Sequence, residues 1–196
     1  HRSTAAQVFR LPEDMITKEM RSAAKAVNFG ILYGIGPFSL SKDIGVSVKK
    51  AEEYINSYLD SFPSIREFME RTVEQAKETG YVTTLFGRKR YVPELRASNK
   101  MTQAAGKRIA MNTPVQGTAA DIIKTAMVRV WKRLKEEVPT ARLILQIHDE
   151  LIVEAPIADA PKAADILKTE MENSCRLSVP LTVEVEEGKS WYDAKG

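Results

Sequence analysis

The sequence predicts an α+β fold in which helices predominate. Over most of the 196 residues, apolar side chains recur at the three- and four-residue intervals of a helix face. Two segments, 81–92 and 142–155, change instead to short apolar runs that flank a turn, as β-hairpins do. The chain is 43% hydrophobic and 28% charged, which is ordinary for a globular protein and argues against disorder.

The N-terminal half consists mainly of predicted helices. Thr17 is a candidate N-cap for a helix that Gly34 ends, and Ser47 is a candidate N-cap for another. Pro63 suits the first turn of the next helix, and Gly80 suits its C-terminal cap. The helical segments predicted in this half are 1–9, 17–34, 47–62 and 63–80, with a short helix or turn at 37–45.

The C-terminal half mixes helices and hairpins. Segment 81–92 predicts a hairpin whose second strand is basic, and 142–155 predicts a hairpin with polar residues at its tip. Pro114 is expected to break the helix before it, and Trp191 to be a packing anchor near the end. The other elements predicted are helices at 99–111, 118–137 and 161–175 and a strand at 181–185.

Positive and negative charges are separated along the chain. Residues 87–108 contain seven cations and one carboxylate, whereas residues 146–196 contain eleven carboxylates and five cations. A basic middle suits contact with a phosphate backbone, and an acidic end suits a divalent metal. The plainer alternative is that both runs are solvated surface.

Cysteine and apolar content indicate the compartment. With one cysteine the chain forms no internal disulfide, so a reducing cytoplasm is expected. No apolar run is long enough to span a bilayer and no signal-like segment begins the chain, so no membrane partner is expected. The sequence begins at His1 without an initiator methionine and is expected to be a piece of a longer protein.

The helix predicted around Met20–Gly34 has an unusual polar face. At 3.6 residues per turn, Arg21, Lys25, Phe29 and Tyr33 fall on one side, opposite an apolar stripe. This stretch contains no carboxylate, so an anion from elsewhere is expected to neutralise its two cations. Their spacing suits a polyphosphate, and the rings suit a base or a sugar. An ordinary surface helix with scattered cations is the alternative.

The tip of the second predicted hairpin is His148-Asp149-Glu150. Adjacent carboxylates raise each other's pKa unless they share a cation, and all-oxygen ligation favours Mg²⁺. A turn also needs polar residues, so a purely structural role stays open. Taken together, a metal-binding turn and a cationic helix indicate phosphoryl or nucleotidyl transfer.

Four segments resemble motifs of one family, the family A DNA polymerases of the bacterial DNA polymerase I type. The pattern Arg-x-x-x-Lys-x-x-x-Phe-Gly-x-x-Tyr-Gly at 21–34 resembles their motif B, and His148-Asp149-Glu150 resembles their motif C. Segments Gly80–Arg88 and Thr113–Asp121 also resemble family segments, in the family's order and spacing. The resemblance extends over essentially the whole chain.

The resemblance implies subdomains and a role for particular residues. Residues 1–97 would be most of a mainly helical fingers subdomain, and 98–196 the C-terminal half of a palm, an antiparallel sheet with flanking helices. The residues implied to contact the incoming dNTP are His1, Arg21, Lys25, Phe29 and Tyr33. Those implied to contact primer–template DNA are Arg108, Asn112, Gln116 and His148. Asp149 would bind Mg²⁺ with Glu150 in support, and Lys25 would protonate the pyrophosphate leaving group.

One family feature has no counterpart in this sequence. The family carries its other metal-binding aspartate in a motif A strand upstream of the fingers, and no Asp-Tyr-Ser-x-x-Glu-like segment occurs here. The implied two-metal Mg²⁺ site would be completed by an aspartate outside this chain. The thumb and the first half of the palm are likewise expected in a missing N-terminal part of the polymerase. We expect the parent protein to polymerise DNA and this chain alone to be inactive.

The sequence leaves three functional interpretations. The first is a fragment of a DNA-directed DNA polymerase that acts in replication and repair in the bacterial cytoplasm, at the nucleoid. The second is a non-catalytic nucleotide- or nucleic-acid-binding module derived from the same fold. The third is a family A polymerase of a phage or an organelle. An upstream motif A aspartate in the encoding gene would distinguish the first from the second.

Overall fold

A computed structural model of the protein describes residues 2–9 and 11–195. The chain divides into two compact units, His1–Gln116 and Gly117–Gly196. Helices predominate, and the described strands form two separate two-stranded antiparallel sheets. The predicted α+β class is therefore confirmed. Within these ranges no helix is long and apolar enough to cross a membrane.

Four helices form the first part of the N-terminal unit. They are α1 (Arg2–Phe9), α2 (Lys18–Leu32), α3 (Pro37–Asp43) and α4 (Val48–Ser61). As predicted, the hydroxyls of Thr17 and Ser47 cap α2 and α4, each accepting a hydrogen bond from a backbone N–H at 3.2 Å. The side chains buried in the core of α2, α3 and α4 are Val27, Ile31, Leu40 and Ala51.

The second part of this unit combines two helices with a hairpin. Helix α5 (Pro63–Thr79) ends at Gly80, whose φ of +84° is a left-handed conformation that favours glycine. Strands β1 (Tyr81–Thr83) and β2 (Lys89–Tyr91) pair antiparallel, as predicted, and helix α6 (Lys100–Asn112) follows. The core of this part is formed by Val73, Ala76, Val82, Val92, Leu95 and Ala110.

The α-helix ends at Asn112, before Pro114 as predicted, but the chain does not leave the helical conformation there. Thr113–Gly117 forms a π-helical turn after α6. In such a turn the backbone hydrogen bonds join residues five apart instead of four, and the chain stays helical. Proline has no N–H to donate, and a local π-helical turn is one way for a helix to accommodate that loss. The hydroxyl of Thr113 donates to the carbonyl of Ile109 at 2.7 Å and ties this turn to α6.

The C-terminal unit is built on one long helix. Its elements are α7 (Thr118–Glu137), β3 (Arg142–Ile147), β4 (Glu150–Glu154), α8 (Ala160–Glu172) and α9 (Trp191–Lys195). The apolar face predicted for α7 packs against α8 and the β3–β4 hairpin, which places one end of the hairpin at the surface. The buried core of this unit is Ala126, Val130, Leu134, Val138, Ala141, Leu151, Ala163 and Ile166.

The strand predicted at 181–185 does not form in the described structure. Side chains of α8 hold this segment instead, because the N–H of Val183 donates to Glu172 Oε1 at 3.0 Å. The carbonyl of Val183 accepts from Lys168 Nζ at 2.7 Å. Both backbone polar groups of Val183 are therefore already paired and are not available to a neighbouring strand.

Candidate active site

The predicted polar face of α2 is exposed, and the opposite face is buried. Arg21 and Lys25 lie at the surface, and Phe29 and Tyr33 are each 42% exposed. The buried face consists of Ala24, Val27 and Ile31. Because this apolar stripe is fixed in the core, the rotation of α2 is fixed as well, and the four exposed side chains share one side.

In the described part of the chain, the two cations of this face have no acidic partner. Among the described residues, no carboxylate forms an ion pair with Arg21 or Lys25. Arg21 also lies in the first turn of α2, where the helix dipole adds positive potential. Two donors about one turn apart in a positive field favour the binding of a polyphosphate.

Phe29 and Tyr33 form an aromatic surface beyond Lys25 on the same face. Their ring centroids are 6.2 Å apart and their planes are inclined by 31°. This separation lies within the range at which aromatic rings attract one another. The phenyl ring of Phe29 offers an apolar face without a hydrogen-bonding group, which suits contact with a sugar or a base.

The C-terminal end of α2 lies against α6. Gly34 has a φ of +75°, and a Cβ at this position would lie 2.4 Å from Met111 Cε and 3.2 Å from Arg108 Cγ. The side-chain amide of Asn112 donates to the carbonyl of Tyr33 at 3.4 Å. The structure therefore brings Arg108 and Asn112, which were predicted to contact DNA, next to Tyr33 of the predicted nucleotide-contacting set.

The other predicted contact residues are not brought to this place by the described contacts. Gln116 is exposed in the π-helical turn that follows α6. His148 is exposed in the C-terminal unit, at the turn between β3 and β4. His1 lies outside the described residues. The roles of all three stay predictions from the sequence.

We call His148-Asp149-Glu150 the acidic turn. His148 and Asp149 join β3 to β4, and Glu150 is the first residue of β4. His148 has a φ of +52°, in the left-handed region that glycine usually occupies at such turns. Gln146 Nε2 donates to the carbonyl of His148 at 2.7 Å, which stabilises the turn. Asp149 is exposed at the tip, where its carboxylate is accessible to solvent.

Glu150 differs from Asp149 because it is paired. Lys195 Nζ lies 3.0 Å from Glu150 Oε1 and 3.3 Å from Oε2, and it also lies 5.2 Å from the centroid of the Trp191 ring. The hydrogen bond from Lys195 lowers the pKa of Glu150 below its ordinary value of 4.5. The Trp191 indole and the His148 imidazole act in the same direction.

The donor chemistry of this turn fits part of an Mg²⁺ site. Carboxylate oxygens are the ligands that Mg²⁺ prefers, and Asp149 offers an exposed carboxylate. Lys195, by contrast, holds both oxygens of Glu150. In the part of the chain that the structure describes, no group of three or more His, Cys, Asp or Glu side chains could hold a metal ion. Asp149 therefore does not make up a metal site by itself among the described residues.

Sequence reasoning did not identify Lys195, Trp191 or Gln146 as part of this region. The sequence carries a weak local signal, a serine at 190 followed three residues later by Asp193. In the structure the hydroxyl of Ser190 accepts a hydrogen bond from the N–H of Asp193 at 3.2 Å, as a helix cap does. This pattern could have predicted the short helix α9. It could not have predicted the contact with Glu150, which is 45 residues away from Lys195 in the sequence.

The sequence is similar along its length to bacterial DNA polymerases. A model of the family described as DNA polymerase family A matches residues 1–193. DNA polymerase I of Caldicellulosiruptor bescii is 48% identical over 195 residues, which cover 100% of this chain and 23% of that protein. DNA polymerase I of Bacillus subtilis (strain 168) is also 48% identical over 195 residues, 100% of this chain and 22% of that protein. The chain thus spans less than a quarter of the length of these relatives.

A solved structure has the same arrangement of elements. It is the POL domain of Pol1 from M. smegmatis, in a complex with DNA primer-template and dNTP. The TM-score is 0.93 at 37% sequence identity, and the match covers 100% of this chain and 35% of that one. The fold of the chain is therefore that of part of a polymerase domain.

Proposed function

The chain belongs to DNA polymerase family A, and we propose that it is a fragment of a DNA-directed DNA polymerase that adds dNTPs to a primer 3′ end. The support is its similarity to DNA polymerases I, of which it spans less than a quarter. In this proposal residues 1–97 are most of the fingers and residues 98–196 are the C-terminal half of the palm. The thumb and the first half of the palm belong to the N-terminal part of the enzyme.

The main structural support for this proposal is the exposed face of α2, which combines two cations with two aromatic rings. Arg21 and Lys25 bind the triphosphate of the incoming dNTP, and His1 adds a further phosphate contact. Lys25 also donates a proton to the pyrophosphate leaving group, because an ammonium loses its proton far more readily than a guanidinium does. Phe29 lies against the deoxyribose, and Tyr33 lies at the position of the template base.

Primer–template DNA is the second substrate in this proposal. The residues that contact it near the minor groove are Arg108, Asn112, Gln116 and His148. Their side chains can donate hydrogen bonds, and the minor-groove edge of every base pair offers acceptors, so such contacts do not depend on sequence. Support comes from the packing of Arg108 against Gly34 at the end of α2, and from the M. smegmatis polymerase domain, which is in a complex with DNA primer-template and dNTP.

The metal site is shared between this chain and the missing part of the enzyme. Asp149 would bind Mg²⁺ directly, and Glu150, paired with Lys195, would add negative charge beside it. When bound, a pair of Mg²⁺ ions would activate the primer 3′-hydroxyl and offset the charge on the transferred phosphoryl group. The second aspartate comes from a motif A strand that this sequence lacks, so this chain alone does not polymerise DNA.

A non-catalytic nucleotide-binding module of the same fold is the second candidate. The incomplete donor set around Asp149, among the described residues, is the observation that favours it. An upstream motif A aspartate in the encoding gene, or in a partner chain, would decide for the polymerase. In that case the enzyme would act in the cytoplasm at the bacterial nucleoid.

Substitution of Lys25 in the complete polymerase tests the proposed nucleotide site. Lys25→Gln removes one charge-assisted contact to the triphosphate, which is worth roughly 1.5–3 kcal/mol. We expect kcat/KM for dNTP to fall by ~10- to ~150-fold, while the Kd for primer–template DNA changes little. Steady-state primer extension and a DNA-binding titration measure the two quantities.

A matched substitution on another helix separates this effect from a general loss of charge. Lys49 is exposed on α4 and forms no ion pair among the described residues, so Lys49→Gln removes the same charge elsewhere. We expect this variant to keep the wild-type kcat/KM. Equal dNTP kinetics in Lys25→Gln and in the wild type would show that α2 is an ordinary surface helix.

A further inference from the structure

The two carboxylates of the acidic turn are held differently, and the difference comes from the short helix α9. Asp149 is exposed at the tip, whereas both oxygens of Glu150 contact Lys195 Nζ, at 3.0 and 3.3 Å. A lysine ammonium bonded to both oxygens occupies lone pairs that a metal ion would otherwise use. Glu150 can therefore chelate a metal through both oxygens only if the contact with Lys195 is broken.

Helix α9 presents Lys195 from a defined position. Ser190 caps it, because the hydroxyl accepts from the N–H of Asp193 at 3.2 Å and donates to Asp193 Oδ2 at 2.7 Å. The ring of Trp191 lies one turn before Lys195, with the ammonium 5.2 Å from its centroid. The cap and the ring together limit the conformations that the long lysine side chain can take.

We propose that Lys195 is a positioning residue of the polymerase site, one that keeps Glu150 off the metal and leaves Asp149 as the direct ligand of this turn. The inference rests on the proposed function, since it concerns the Mg²⁺ that this function requires. Trp191 assists by packing against the ammonium of Lys195. The contact also offsets the repulsion between two adjacent carboxylates, because a cation bonded to one of them lowers the negative charge of the turn.

Metal binding by the complete polymerase tests this role directly. Lys195→Met removes the ammonium but keeps an unbranched apolar side chain, so Glu150 becomes free to bind the metal. Both partners are largely exposed, with 60% and 44% of their side chains accessible, so the contact is a weak one. We expect the variant to bind Mn²⁺ about 2- to 5-fold more tightly in its complex with primer–template and dNTP. Electron paramagnetic resonance of free Mn²⁺ measures this affinity without reference to turnover.

Three further single substitutions and one double substitution identify the cause of any change. Lys195→Arg keeps a donor and should keep the wild-type Mn²⁺ affinity, and Trp191→Phe should give a smaller shift in the same direction as Lys195→Met. Lys189→Met removes a charge from the same terminal segment and should change nothing, since Lys189 is exposed and has no ion pair in the described structure. In a Glu150→Gln background, Lys195→Met should have no further effect.

Two results would overturn the positioning role. One is an unchanged Mn²⁺ affinity in both Lys195→Met and Trp191→Phe, and the other is a shift of equal size in the Glu150→Gln background. The proposed function is tested by a different measurement, primer extension. Primer extension by the wild type that disappears in Asp149→Ala supports that function, whatever Lys195→Met does to the binding of Mn²⁺.

Discussion

His148 combines a side chain suited to DNA contact with a backbone conformation that most residues avoid. Its φ of +52° costs a residue with a Cβ about 1–2 kcal/mol, and glycine would occupy the same turn without that cost. The bond from Gln146 Nε2 to the carbonyl of His148 offsets part of it. An imidazole at this position therefore indicates a use for the side chain, and contact with primer–template is the use that we propose.

The unequal environments of Asp149 and Glu150 lead to unequal expected effects of substitution. Asp149→Ala in the complete polymerase removes the proposed direct metal ligand and should reduce kcat by several orders of magnitude. Glu150→Gln keeps the shape of the side chain and an oxygen that can accept from Lys195, so its loss should be smaller, about 10-fold in kcat or less. Single-turnover primer extension at saturating dNTP measures both. Equal losses would show that the direct ligand has been misassigned.

Residue spacing predicted well which four residues lie together on the exposed face of α2. Their placement follows from the helical period and from the buried stripe on the opposite side, both of which are local properties of the sequence. That no described carboxylate pairs with Arg21 or Lys25 is not a local property, because a carboxylate from another element could have reached either side chain. That observation needed the structure.

At the scale of elements, the helix ends were predictable and the C-terminal segment was not. Thr17, Ser47 and Gly80 act through contacts within three or four residues, which the sequence displays directly. The alternation at 181–185 corresponds to alternating exposure, with Leu181, Val183 and Val185 half-buried and Thr182 and Glu184 exposed. A strand also needs a neighbour, and here Glu172 and Lys168 of α8 occupy the backbone groups that a neighbour would pair.

Glu172 is expected to anchor the C-terminal segment in a pH-dependent way. The bond from the N–H of Val183, and then that from Lys168, lower the pKa of Glu172 below its ordinary 4.5. A carboxylate whose folded pKa is lowered stabilises the fold fully above the unfolded pKa, and this contribution is lost as the pH falls through the lower folded pKa. The anchor should therefore be intact at pH 7 and weaken below pH 4.5.

Hydrogen exchange of the peptide around Val183 in the complete polymerase measures this anchor. Glu172→Ala should lower the protection of that amide at pH 7, and the wild type should lose the same protection as the pH falls below 4.5. Glu187→Ala is the matched control, since Glu187 is an exposed carboxylate further along the same segment. Protection that is equal in Glu172→Ala and in the wild type would mean that Glu172 does not hold the segment.

At the scale of the whole molecule, the residues of the proposed function lie in two units. The exposed face of α2, proposed to contact the nucleotide, belongs to the unit that ends at Gln116, and the acidic turn belongs to the unit that begins at Gly117. Motif spacing predicts the residues of each part, because each motif is short and continuous in sequence. Contacts between distant segments, such as that of Lys195 with Glu150, could not be predicted because no local period encodes them.

The missing carboxylate leads to a prediction for the 196-residue chain itself. Two-metal nucleotidyl transfer needs carboxylates that bridge both ions, and the turn offers one exposed carboxylate, with Glu150 held by Lys195. The purified chain should therefore show no primer extension with Mg²⁺ and dNTP, under conditions in which the complete polymerase extends fully. Asp149→Ala in the isolated chain is the control for contaminating enzyme, because a contaminant would be unaffected by it. Extension by the wild-type chain that Asp149→Ala abolishes would place a complete metal site within these residues and contradict the proposed division of the site.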